Sequence, residues 1–177
     1  DAVIARGMEF GLWVEPEMVN LDSDLARAHP DWILGAGSRL PPMSRRQQVL
    51  DVAHPDAYAY LVSRLDALLD EYPISYLKWD HNRDLVEAGS RISGTPGVHA
   101  QTLAVYALMD ELRSRHPAME IDSCSSGGGR VALRVLERTP RIWESDFIDP
   151  LERPQIQRCT GLLVPPRDPA QMAEAIT

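Results

Sequence analysis

Tyr58, Leu61, Val62, Leu65, Leu68 and Leu69 recur at helical spacing behind His54-Pro55, and the short apolar run ISYLKW begins directly afterwards at Ile74. The pattern then repeats. A second helical segment, from about Val98 to Arg115, stops before Pro117 and is followed by the strand MEID. Helices of this length between short strands are what crossovers between parallel strands require. Upstream, DAVIARGM reads as the end of a helix, EFGLWV (Glu9 to Val14) as a strand, and Ser23 as the N-cap of a short helix ending near His29-Pro30. Asp31 to Asp51 is irregular, and GAGSRLPP within it has loop chemistry. Downstream come the loop SCSSGGGR, the short helix VALRVLER, the strand RIWES, the helical PLERPQIQRC, an apolar GLLVPP and a terminal helix opening at Pro169.

A doubly wound sheet and a (β/α)8 barrel both fit this order. Polar residues at the strand ends favour the barrel. Glu15 and Glu17 follow the first strand, Asp80 the second, Asp122 and Cys124 the third, and Asp146 the fourth. Barrel enzymes spread their chemistry over several strand ends, whereas a dinucleotide fold concentrates it in one glycine-rich turn that GLWVEPE lacks. A whole barrel takes roughly 250 residues, so 177 residues supply a partial (β/α)8 TIM barrel of about four or five strand–helix units. The inner face of such an open piece is expected to expose apolar side chains.

Composition narrows the function. The net charge of -8 comes from interspersed acids and bases, which argues against nucleic-acid and membrane surfaces as partners. No apolar run reaches bilayer length. Two cysteines, Cys124 and Cys159, make no disulfide framework and suit a cytoplasmic protein.

KWDHNR carries the densest chemical signal. Lys78 and Asp80 alternate along a strand and face the same side, with Trp79 on the other. A lysine so placed keeps the carboxylate ionised, as a nucleophile requires. A surface ion pair is the bland alternative. A Schiff-base lysine at Lys78, as in barrel aldolases, is a third reading, opposed by the neighbouring carboxylate. In WESDFID, Asp146 stands at a strand end and Asp149 three residues on; paired carboxylates from different strands perform glycoside hydrolysis. Asp149 with Arg153 would otherwise be an ordinary helical ion pair. SCSSGGGR lacks the phosphate-loop pattern and ties no histidine to Cys124, so it reads as a glycine floor under a small polar ligand, or as a plain turn. Trp13 and Trp79 are candidates for the aromatic walls of a sugar site, with core packing as the alternative for each. His29, His54 and His116, each before a proline, read as capping or loop residues. His81, His99 and Asp122 lack short metal-ligand spacing, and no metal or cofactor is expected.

FGLWVEPEMV, SDLARAHPDW, SRRQQVLDV, YLKWDHNRDL, SCSSGGGRV, WESDFIDPLERPQIQR and GLLVPP, in that order, resemble the bacterial α-galactosidases (melibiases) of glycoside hydrolase family 36. The resemblance runs from about residue 7 to 166. It implies a retaining double displacement on terminal α-galactosyl groups of oligosaccharides such as melibiose and raffinose, without a cofactor, in a homo-oligomer. It implies Asp80 of K-W-D-x-N as nucleophile and Asp146 of W-x-S-D, rather than Asp149, as general acid/base. Lys78, Asn82 and Arg45 fall on substrate-binding positions, and Cys124 and Gly127 on the segment lining the sugar pocket. Ala132 and Arg134 replace an aspartate and a glycine of the family's G-R-V-D-L-G, which should alter the packing behind the glycine loop. Residues 1–166 are thus expected to be a piece of the catalytic barrel, and residues 167–177 a divergent tail. A pair of galactose-gripping aspartates and the flanking β domains would lie outside these residues, so the piece alone is expected to be inactive, or at most a galactoside-binding remnant.

Overall fold

The computed structural model describes residues 2–160. The segment GLLVPP, the helix expected from Pro169 and the expected tail lie outside them. In chain order the elements are β1 (Phe10–Val14), β2 (Met18–Asn20), α1 (Asp24–Ala28), β3 (Gln47–Val49), α2 (Pro55–Glu71), β4 (Ile74–Trp79), α3 (Val98–Arg115), β5 (Glu120–Ser123), α4 (Leu133–Leu136), β6 (Arg141–Ile142) and α5 (Arg153–Thr160). Ser23 caps α1 by accepting the Ala26 amide at 3.1 Å, and His54 Nδ1 accepts the Asp56 amide at the start of α2. His29 and His116 are the C-caps of α1 and α3, their amides donating to the Leu25 and Leu112 carbonyls; the His29 ring also stacks on Trp32, and His116 Nε2 meets Asp66 Oδ1 of α2 at 2.8 Å.

β1, β4, β5 and β6 form a parallel sheet in that spatial order. Both long crossover helices pack on one face of it. Leu61, Val62, Leu65 and Leu69 of α2 and Val105, Leu108, Met109 and Leu112 of α3 share a single core with Leu77, Trp79 and Ile121 of the strands. Strands that follow chain order with helices on one face form an arc of barrel wall, whereas a doubly wound sheet carries helices on both faces. The region between Asp31 and Asp51 is less irregular than its composition suggests. β2 and β3 pair antiparallel as a short ribbon, because Val19 and Val49 have a buried side to turn inward.

The inner face departs from expectation. It is polar. Trp13, Tyr76, Lys78, Glu120, Asp122 and Arg141 alternate with the core-facing residues of their strands. The Tyr76 hydroxyl donates to Asp122 Oδ2 at 2.6 Å, and Arg141 Nε donates to Glu120 Oε2 at 2.8 Å while its guanidinium lies over the Tyr76 ring. Charged and aromatic groups that satisfy one another can line this face where an apolar set would not stay soluble.

Ala132 and Arg134 are both exposed. Arg134 is exposed beside Glu137, and Val135 is the residue of α4 that enters the core. Ala132 occupies the N-cap of α4 in extended conformation, with no side-chain bond to the open amides. Ala132→Asp should therefore raise stability by about 1 kcal/mol, read as a higher denaturant midpoint with unchanged slope. A lowered midpoint would show that the aspartate cannot reach those amides.

Candidate active site

The strand ends converge on Asp80. Its amide donates to the Val14 carbonyl at 2.9 Å, which carries the β1–β4 pairing one residue past β4. Its carboxylate is buried yet surrounded by donors. Oδ2 accepts Trp13 Nε1 at 2.9 Å and Asn82 Nδ2 at 2.6 Å, while Oδ1 accepts the His81 amide at 2.9 Å. The Cys124 thiol donates as well. Burial alone would push this carboxyl up, but the bonds from Asn82, Trp13, Cys124 and the His81 amide outweigh it and hold Asp80 below the ordinary aspartate range. Cys124 moves the opposite way: burial, with the Asp80 carboxylate beside it, pushes its thiol up to about 11. It is a neutral donor to Asp80 at physiological pH and a poor nucleophile.

Asn82 is oriented from two sides. Its amide N–H reaches Glu15 Oε1 at 3.0 Å, and its Oδ1 accepts the Ser126 amide at 3.1 Å, which turns the NH2 group toward Asp80. Lys78 lies on the same strand face as Asp80, but its ammonium sits 3.8 Å from the centre of the Trp143 ring. Its charge acts on Asp122, whose carboxyl is raised chiefly by burial. Hydrogen-bond donors, rather than Lys78, keep Asp80 ionised.

Asp146 follows β6 and is exposed, with Oδ1 accepting the Trp143 indole N–H at 2.8 Å. Its loop is braced from below by the glycines after β5. Gly127 has φ +83°, and a Cβ there would meet Ser145 Cα at 3.0 Å; one on Gly128 would strike the Glu144 carbonyl. Arg153 donates to the Ser145 and Phe147 carbonyls, both at 3.1 Å. Asp149 is spent elsewhere: its Oδ1 accepts the Leu151 and Glu152 amides ahead of α5, and it makes no side-chain pair with Arg153. Two carboxylates thus stand at different strand ends, one sealed among donors and one open to solvent.

The family profile described as Melibiase matches residues 1–176. The chain belongs to the melibiase family. It is 51% identical over 164 residues to an α-galactosidase of Escherichia coli, covering 93% of this chain and 23% of that one. It is 42% identical over 165 residues to α-galactosidase AgaA of Geobacillus stearothermophilus, covering 90% of this chain and 22% of that one. The crystal structure of that family 36 enzyme superposes with a TM-score of 0.86 at 40% identity, over 92% of this chain and 23% of its own. The chain therefore spans less than a quarter of these melibiases, and the arc of parallel strands is a part of their TIM barrel.

Within this melibiase segment, Asp80, Asn82, Trp13 and Cys124 meet directly, Lys78 shares their face, and Gly127 underlies Asp146. One assignment differs. Trp79 is fully buried on the core side of the sheet and donates its indole N–H to Glu17 at 2.9 Å, so it walls no sugar. It sits one residue from Asp80, and strand alternation sends it to the opposite face. Arg45 is exposed at the tip of the turn before β3, with φ 52°, its guanidinium open to solvent. His81, His99 and Asp122 do not assemble; the described residues hold no group of three metal-ligating side chains.

Glu17 was visible only as one polar residue after a strand. It is the hub behind the site. Buried to 1% exposure, it takes two bonds from Arg130, at 2.7 and 3.1 Å, one from the Trp79 indole, and a contact from His81 Nδ1 at 3.1 Å. Burial pushes its carboxyl up, but Arg130 and His81 pull it down further, to about 2 from 4.5. A carboxyl lowered on folding adds stability that is full above its unfolded value and is lost as pH falls toward the folded one. Glu17→Gln should therefore be less stable than the parent at pH 7, and the difference should shrink steadily between pH 4.5 and pH 2. Urea titrations across that range check this, and a gap independent of pH would contradict it.

Proposed function

We propose that the chain is the central catalytic part of an α-galactosidase that releases terminal α-galactosyl groups from oligosaccharides such as melibiose and raffinose, with retention and without a cofactor. What carries the reading is Asp80: a carboxylate at a barrel strand end, buried and yet held ionised by four donors, in a chain of the melibiase family. An ionised carboxylate held in a polar cradle is equipped to attack an anomeric carbon. As the Asp80–carbon bond forms, the glycosidic bond breaks, and Asp146 delivers its proton to the departing oxygen. Water then adds to the same carbon, returns a proton to Asp146 and frees Asp80, so two inversions give retention. The relatives' names and the solved complexes of AgaA variants with stachyose and with raffinose support the substrate class. The same proposal takes in a cytoplasmic homo-oligomer serving carbohydrate breakdown, supported by the sparse cysteines and mixed surface charge.

Grafting these residues in place of the corresponding segment of the Escherichia coli relative gives a direct test. The graft should hydrolyse nitrophenyl α-galactoside, lose all turnover as Asp80→Ala, and carry a 2-fluoro-galactosyl label on Asp80; a label on Asp84 or Asp146 overturns the assignment. Asp146→Ala should cripple raffinose far more than the activated aryl galactoside, and azide should rescue the latter as galactosyl azide. If Asp149→Ala behaves so instead, the acid/base is misassigned. The 177 residues by themselves are expected to turn over no α-galactoside, since Trp13 is half exposed and Asp146 faces open solvent. Robust Asp80-dependent turnover by the isolated chain would refute that.

A further inference from the structure

We propose that Trp143 is a positioning residue that binds Asp146 to the positive charge on the sheet and so decides which carboxylate oxygen carries the proton of the reaction. The proposal rests on the reading of Asp146 as acid/base. Trp143 stands where β6 gives way to the loop, its amide held by the Ser123 carbonyl at 2.9 Å. Three side chains meet on its indole. The N–H donates to Asp146 Oδ1 at 2.8 Å, the Lys78 ammonium lies 3.8 Å from the ring centre, and the Arg153 guanidinium lies 4.9 Å from it. A cation over an aromatic face is attracted by its quadrupole and draws electron density from the ring, which strengthens the ring N–H as a donor. Arg153 also fixes the Ser145 and Phe147 carbonyls on either side of Asp146, so ring and loop move together.

The consequence is an asymmetric carboxyl group. Oδ1 is occupied by the indole N–H, and Oδ2 has no protein partner among the described residues. The transferable proton therefore rides on Oδ2. It passes from Oδ2 to the glycosidic oxygen as that bond to carbon breaks, and the proton of the incoming water returns to Oδ2. Trp143 touches neither substrate nor proton; it holds the group that does.

Two measurements decide the matter. In the 15N-labelled chain, Trp143→Phe identifies the Trp143 indole resonance, and Asp146→Asn and Lys78→Met should each shift it while leaving that of the core residue Trp32 in place. An unmoved resonance in both variants overturns the network. If Trp143→Phe loses the dispersed spectrum of the folded chain, those two surface variants still settle the contact, with the resonance assigned by sequential connectivity. In the grafted enzyme, Trp143→Phe keeps an aromatic ring but removes the donor. It should lower kcat/KM for raffinose at least roughly tenfold more than for nitrophenyl α-galactoside, part of the 10²–10⁴ that acid–base catalysis supplies. Equal losses on the two substrates would mean a merely structural role and overturn the proposal. Failure of the parent reading looks different, for then Asp146→Ala lowers turnover of raffinose and of nitrophenyl α-galactoside alike.

Discussion

A buried anion with nowhere to go but Arg130 organises this end of the molecule. Glu17 is sealed beneath the strand ends, and an uncompensated charge there would cost several kcal/mol. Its partners come from three separate places: Trp79 from the last position of β4, His81 from the turn that follows, and Arg130 from the loop after β5. Satisfying one carboxylate therefore fixes where the segment after β1, the turn of Asp80 and His81, and the glycine loop sit relative to one another. The His81 amide then reaches Asp80, and its carbonyl takes the Ser125 hydroxyl at 2.8 Å. The cluster thus underlies the turn that carries the His81 amide to Asp80.

The two carboxylates are supported differently, and the difference suits the roles proposed for them. Asp80 is enclosed, and its donors favour the charged form. A nucleophile that never needs protonation gains from that. Asp146 is held at one oxygen only and is otherwise exposed. A group that must give up a proton and take one back needs such an open oxygen. Glycine makes the pair possible, because the backbone after β5 lies so close to Glu144 and Ser145 that no side chain fits between them.

The polar inner face follows the same logic of pairing. Asp122 is raised by burial, and Tyr76 donates to it while Lys78 and Arg141 pull it back. Each strand contributes one core-facing and one inward-facing set, so a single hydrophobic layer under α2 and α3 leaves the other face free for charge.

The sequence by itself determined the main elements and singled out the two candidate carboxylates. Helical periodicity, prolines at helix starts and the alternation in YLKWD placed α2, α3 and β4, and the K-W-D-x-N and W-x-S-D motifs named Asp80 and Asp146, because these signals are local. Only the tertiary structure decided what depends on distant partners. It sent Trp79 into the core and Trp143 to Asp146, although both indoles lie near a key aspartate in sequence. It moved the ionising influence on Asp80 from Lys78 to Trp13, Asn82 and Cys124, drawn from three strand ends. It paired β2 with β3 across an irregular stretch, and it joined Glu17 to Arg130 across 113 positions. Hydrogen bonds between residues so far apart leave no spacing in the chain to read; the packing of the sheet against its helices brings them together.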